Sequence, residues 1–267
     1  FYLLFIKPVV VSWGATDEEQ NMPLAGDNLS PRISSTRAIE INTSSQNVWN
    51  LIIQLGADRG GSFSYTFLEK AMGYKGLDPS YSLDKSYDMK VGRIIPGSSD
   101  PSSSAIEYSF EVLAVTKGEF YVLKNWGAFV LRKLEENKTR LIIRTHGNEL
   151  NGFGDRIEDF IMTPLHYLME RRMMMEFKFL AETRAGISQT ADVTWFSCIV
   201  LSMIGCFILI FRSRLLVERI VAAILSLFWL WPLLVFNPVP LYGIGMLVLV
   251  MLALFKSFAI KKYPSSD

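Results

Sequence analysis

Histidine is the side chain best suited to proton transfer near neutral pH, and this 267-residue chain has two, His146 and His166. Neither has a second ligand at metal spacing, so no metal site and no cofactor is expected. His166 and Glu170 stand four residues apart and would share a helix face, as ordinary solvated helices often arrange such pairs. Gly56, Gly60 and Gly61 lack the Gly-Lys-Ser/Thr ending and the strand-to-helix position of a phosphate cradle, and read as a turn. There is no Gly-x-Ser-x-Gly elbow to mark a hydrolase nucleophile. Both cysteines, Cys198 and Cys206, lie in an uncharged apolar run, which leaves the rest of the chain without a thiol nucleophile, a disulfide or a Cys-type zinc site. By residue type alone, the chain offers little for catalysis.

The composition points to a membrane instead. Half of the residues are hydrophobic, the net charge is +1, and the mean hydropathy is +0.24. Residues 1–192 hold 21 basic and 24 acidic groups, leaving 6 and 2 for residues 193–267. Without a Lys/Arg-rich run there is no electrostatic footprint for nucleic acid. Val193 to Phe211 carries no charge and is about the ~20 residues a helix needs to cross a bilayer. Residues 220–255 carry none either, and Asn237-Pro238-Val239-Pro240 divides them. The expected spans are therefore 193–211, 215–236 and 241–260, the last two an antiparallel hairpin with a tight turn. Gly205, Ala222, Ala223, Ser226, Gly243 and Gly245 permit close helix approach, within this unit or to another membrane protein. Trp229 and Trp231 suit an interfacial belt. The opening run FYLLFIKPVVVSW, residues 1–13, reads as the end of an N-terminal apolar anchor.

Between these apolar ends, residues 14–190 mix strand and helix signals. TRAIEI (36–41) alternates as a strand, Thr43-Ser44-Ser45 offers a cap, and Val48, Trp49, Ile52, Ile53 and Leu55 recur at helical spacing. Tyr65, Phe67, Leu68 and Met72 mark a second short helix closed by Gly73. A polar stretch, 74–104, follows as a loop with one strand around 90–95. Strands are then expected over 105–115, 119–124, 127–134 and 139–145, joined by Lys117-Gly118 and Glu136-Asn137 turns into an antiparallel meander. Asp155 to Thr183 reads as a long helix interrupted or bent at Pro164, with Ile157, Ile161, Leu165, Leu168, Met175 and Phe179 on its apolar face. Packing that face on a curved sheet would leave an apolar cavity between them.

The stretch TRAIEINTSSQNVWNLIIQLGADRGGSFSYTFLEKAMG, with WGATDEE and LAGD before it and WGAFVLRKLEENKTRLIIRTHG after it, resembles the bacterial SRPBCC superfamily, the START-like or polyketide-cyclase-like helix-grip proteins. The resemblance covers roughly residues 13–180. It implies an α+β helix-grip fold, an antiparallel sheet wrapped on a long C-terminal helix, followed here by an all-α unit of three transmembrane helices. It does not imply one chemistry, because related folds carry lipids, bind small apolar ligands, cyclise polyketides or only mediate contacts. Arg59 and Glu69 fall within the motif and could point an ion pair toward the cavity mouth, or fix the two short helices as a salt bridge. Trp126, Phe129, Tyr65, Phe160, Met162 and Met169 fall on elements expected to line the grip, where Met suits flexible apolar ligands and where core filling accounts for the same residues. Arg59, Tyr65, Glu69, Trp126, Phe129, Phe160, Met162, His166 and Met169 are thus the candidate ligand-binding residues.

Two functional readings follow. One is a membrane-anchored, non-catalytic module that serves as an accessory subunit of a larger membrane complex or binds a lipid-like molecule. The other is a cyclase- or hydrolase-type enzyme acting on a hydrophobic substrate, with Arg59, Tyr65, Glu69 or His166 in polar roles; it requires these side chains to converge in a pocket. Arg212, Arg214 and Arg219 between the first two spans, and Lys256, Lys261 and Lys262 at the end, are expected on the cytoplasmic side of a bacterial inner membrane. That places the 14–190 domain on the periplasmic face.

Overall fold

The computed structural model describes residues 2–78, 87–100, 102, 109–213, 215–235 and 237–260. Parts of the sequence expectations therefore lie outside the described residues: 79–86, 101 and 103–104 of the 74–104 loop, the start of the 105–115 strand, Arg214, Phe236, and Lys261 and Lys262. The chain divides into two compact units, residues 1–187 and 188–267.

The first unit is α+β. A π-helical turn, Tyr2–Ile6, runs into α1 (Lys7–Ser12). Thr16 and Glu19 then form a reciprocal capping box that starts α2 (Asp17–Asn21). β1 (Arg32–Ile41) leads to α3 (Ser45–Ile52), where the Ser44 hydroxyl accepts the Asn47 N–H as N-cap. α4 (Thr66–Ala71) and the short β2 (Ile94–Pro96) follow. β3 (Ser109–Thr116), β4 (Phe120–Leu123), β5 (Gly127–Glu135) and β6 (Lys138–Gly147) form the expected meander. The long α5 (Phe153–Thr183) continues as one helix with Pro164 inside it.

All six strands form one antiparallel sheet in the order β1-β6-β5-β4-β3-β2. β1 pairs with β6 from Arg32 opposite Gly147 to Ile41 opposite Thr139, so the first and last strands in sequence are neighbours. The register aligns Arg37, Ile143, Phe129 and Tyr121 in one row across the sheet, and Ser35, Thr145, Gly127 and Leu123 in the next. Because side chains alternate along a strand, both rows face the same side. That side, carrying Ile39, Ile41, Phe129, Leu131, Leu141 and Ile143, packs with Trp49 and Ile52 of α3 and with Met173, Met174, Phe177 and Leu180 of α5. Gly127 has φ +143°, and a Cβ there would run into the Arg144 carbonyl.

The opposite face is covered by the chain between α1 and β1. Arg144, buried there, donates to the carbonyls of Met22 (2.8 Å) and Glu19 (2.6 Å) and to Asp27 (2.6 Å). Arg140 bonds both oxygens of Glu19, at 2.8 and 2.7 Å. At the free edge of β1, the Ala38 N–H donates to the Trp13 carbonyl, which leaves that edge less open to foreign pairing.

The apolar stripe expected on α5 differs from the face the helix buries. Leu168 is buried and Met175 packs against the core, but Ile157, Ile161 and Phe179 are exposed. The buried face mixes Met173, Met174, Phe177 and Leu180 with Glu170, Arg171, Arg172 and Glu176. Arg172 and Glu176 pair at 2.7 Å, so charges that neutralise each other inside broke the hydropathy period that the sequence reading relied on.

The second unit is helical: α6 (Gln189–Arg212), α7 (Leu216–Phe228), α8 (Leu230–Val235) and α9 (Pro240–Ile260). Gln189–Arg212, Leu216–Val235 and Pro240–Ala259 are each long and apolar enough to cross a membrane. The main contacts run from α6 to α9 and from α6 to α7, so α6 lies between α7 and α9 instead of beside a tight hairpin of the two. Glycine explains this closeness: a Cβ at Gly205 would strike Val250, and one at Gly243 would press on Cys198 and Trp195.

Candidate functional site

Arg37 is the one charge among the apolar positions of β1 that face α5, and its partner comes from that helix. Arg37 Nη1 donates to Glu170 Oε1 at 2.6 Å, with the two side chains 1% and 0% exposed. Arg37 Nε also donates to the Val10 carbonyl at 2.9 Å, and its guanidinium lies 5.3 Å from the Tyr167 ring centre. The other carboxylate oxygen of Glu170 accepts Trp126 Nε1 at 3.0 Å and Thr145 Oγ1 at 3.2 Å. His166 Nε2 stands 3.5 Å from that same oxygen. Two adjacent sheet rows, the β4–β5 turn and one α5 face thus converge on a single carboxylate. Asn125, held at φ +63°, makes the turn that brings Trp126 there.

Burial acts to raise the Glu170 pKa, but the Arg37 cation, His166 and the Trp126 N–H outweigh it and hold the carboxyl below its usual range. For His166 the order is reversed. Burial outweighs the Glu170 carboxylate, Arg37 acts in the same direction as burial, and the pKa falls below 6.5, leaving a neutral imidazole at pH 7.

Beside this cluster lies a cavity of about 520 Å³. Its wall includes Arg37, Glu170, His166, Trp126 and Thr145 on one side, with Leu55, Tyr74, Leu77, Ile95 and Phe110 supplying apolar surface. Glu69 reaches it from α4. It is 5% exposed and accepts the Ser62 hydroxyl at 2.6 Å. Burial pushes its carboxyl up to about 7; the Ser62 bond opposes this, Asp78 adds to it, and Arg172 opposes it.

Of the nine candidate residues, Glu69, Trp126, Met162, His166 and Met169 line this cavity. Phe129 sits in the core behind it, stacked on Tyr121 with ring centres 4.7 Å apart. Tyr65 is buried, with the Arg172 guanidinium 5.7 Å from its ring centre. Phe160 is 54% exposed on the far side of α5. Arg59 does not pair with Glu69. It donates to the Ile53 carbonyl at 2.6 Å, pairs with Asp58 at 3.2 Å and stacks 3.7 Å over Tyr87. Its role is to tie the end of α3 to the following turn. Arg37, Thr145 and Ser62 were missed by sequence reasoning. Arg37 had a readable signal, an arginine in the strand register otherwise occupied by Ile39 and Ile41. Thr145 and Ser62 had none, since a hydroxyl in a strand or turn is ordinary.

No protein-family model matches the chain. No curated protein matches it either. Among solved structures, the chain is similar to the X-ray crystal structure of a Staphylococcus saprophyticus protein determined as a structural-genomics target. The identity is 13% and the TM-score 0.34, over 57% of this chain and 93% of that one.

Proposed function

We propose that the first unit is a helix-grip module of the START-like kind that binds one lipid-like molecule without transforming it, and that the C-terminal spans hold it at a bilayer as an accessory subunit of a membrane complex. The observation that carries this reading is the cavity. At about 520 Å³ it falls within the roughly 300–1,000 Å³ of small-molecule sites, and Leu55, Leu77, Ile95, Phe110 and Met173 give part of its wall an apolar surface. The polar groups at the Glu170 end of the cavity, Arg37, Trp126 and Thr145, are already bonded to its carboxylate, which suits orientation of a ligand better than attack on it.

Extraction of the full chain in mild detergent, followed by mass spectrometry of the organic extract, should yield one small hydrophobic species per chain. Met169→Trp, which places an indole in the cavity from α5, should abolish its recovery. An empty wild-type protein that also fails to take up any amphiphile would overturn the reading. The arginines between the first two spans and the C-terminal lysines support a periplasmic location for the domain. Protease added to spheroplasts should then remove residues 14–190, whereas protection of them would reverse the orientation.

One observation favours an enzyme instead: Glu69 and His166 line the same cavity from different elements, and the Glu69 pKa is near 7, where general acids work best. On that reading, turnover of the extracted species would be lost in both Glu69→Gln and His166→Asn.

A further inference from the structure

The polar groups of the cavity have a marked asymmetry of charge. Six carboxylates line it: Glu69, Glu149, Asp155, Glu158, Asp159 and Glu170. Two arginines and no lysine do so among the described residues, and both arginines are committed. Arg37 is paired with Glu170 at 2.6 Å. Arg32 is paired with Asp159 at 2.7 Å and donates Nε to the Asn148 carbonyl. The two histidines on the wall also face carboxylates, His166 toward Glu170 and His146 toward Asp27 at 3.4 Å. An anionic headgroup entering here would meet no uncommitted cation and a mouth that repels it.

Two buried groups beside the cavity keep unused hydrogen-bonding capacity. Glu69 accepts only the Ser62 hydroxyl, on Oε2, so Oε1 has no donor among the described residues. Ser35, 2% exposed and on the cavity wall, shares its sheet row with Thr145, and its Oγ has no partner among the described residues. Buried polar groups are rarely left this way unless something else completes them.

We infer that the cavity selects an amphiphile whose polar end is a cationic hydrogen-bond donor, a primary alkylammonium in chemical class, seated against the free oxygen of Glu69. This rests on the reading of the cavity as a ligand site and narrows it by excluding fatty acids and other anions. Asp78 and Tyr74, from the chain after α4, and Arg172 of α5 are the charged and titratable groups that bear on Glu69. Burial keeps about half of the Glu69 population neutral at pH 7 in the free protein. An arriving ammonium would favour the carboxylate and release that proton.

The test is isothermal titration of the detergent-solubilised full chain with octylammonium, octanoate and octanol, with empty micelles titrated as the blank. Octylammonium should bind at least tenfold more tightly than octanoate, and Glu69→Gln should reduce that gap to less than threefold. On wild-type protein, where no fold is at risk, octylammonium affinity should rise about tenfold between pH 6 and pH 8, as a group titrating near 7 goes from about one-tenth to nine-tenths ionised. The alkylammonium itself, like lysine, stays charged throughout this range. Octanoate binding as tightly as octylammonium, or a gap that survives Glu69→Gln, overturns the inference while the cavity remains a ligand site. Saturable binding by none of the three overturns the ligand-site reading itself.

Discussion

Replacing Arg37 by methionine tests whether the buried pair holds the sheet to α5. Both side chains of the pair are essentially inaccessible to solvent, so screening does not discount the effect. The variant leaves Glu170 inside with Trp126, Thr145 and His166 as its remaining neighbours, and also frees the Val10 carbonyl. Breaking a buried pair from one side costs about 3–5 kcal/mol, whereas replacing both members with apolar groups of similar volume is close to neutral. Arg37→Met should therefore destabilise the first unit by about 4 kcal/mol, and at about 2–4 °C per kcal/mol for a unit of this size its melting point should fall by roughly 10 °C. Arg37→Met combined with Glu170→Leu should recover all but about 1–2 kcal/mol, a coupling far above the few tenths expected of independent sites. Urea unfolding of the full chain in detergent, followed by near-ultraviolet circular dichroism, reads both numbers. A single-variant loss under about 1 kcal/mol, or a double variant whose loss is the sum of the singles, would refute the pair as a unit.

Glu69 supplies a pH signature of opposite sign to an ordinary salt bridge. Its folded pKa of about 7 lies above the usual 4.5, so its contribution is fully present below pH 4.5 and is lost as pH rises through 7. At 1.36 kcal/mol per pH unit the loss totals about 3 kcal/mol, and Glu69→Gln should become the more stable protein progressively from pH 4.5 to 7, with a constant advantage above; a pH-independent difference would contradict this. Arg144→Met removes the donor that holds the Glu19 and Met22 carbonyls and Asp27, so a glutamate-specific protease should cut at Glu18 or Glu19 much faster than in wild type. Gly127→Ala, at φ +143° against the Arg144 carbonyl, should cost about 2 kcal/mol or more in urea unfolding.

The strands 119–124, 127–134 and 139–145, the Ser44 cap and the three spans were all legible in the sequence. Each depends on neighbours within about a dozen residues: alternation for a strand, a hydroxyl before an apolar stripe for a cap, a charge-free run for a span. The limits of that locality show in α5. Of its sequence stripe Ile157, Ile161 and Phe179 are exposed and Leu168 is buried, while Glu170 and Arg172 are buried too. A helix carries no record of what will face it, and a charge can be inside only if a partner arrives from elsewhere. Arg37 arrives from 133 residues away, and it does so only because β1 pairs with β6 in the register that puts Arg37 opposite Ile143. The same pairing brings Ser35 and Thr145 into one row beside the cavity, and the turn at Asn125 swings Trp126 onto Glu170. Sequence alone therefore determined the meander strands, the Ser44-capped helix and the three long apolar helices, because those choices are local, but not α2 or the full length of β1 from Arg32. Which carboxylate is buried, which arginine neutralises it and where a cavity remains were decided by strand register and helix docking, which bring together groups that the sequence keeps far apart.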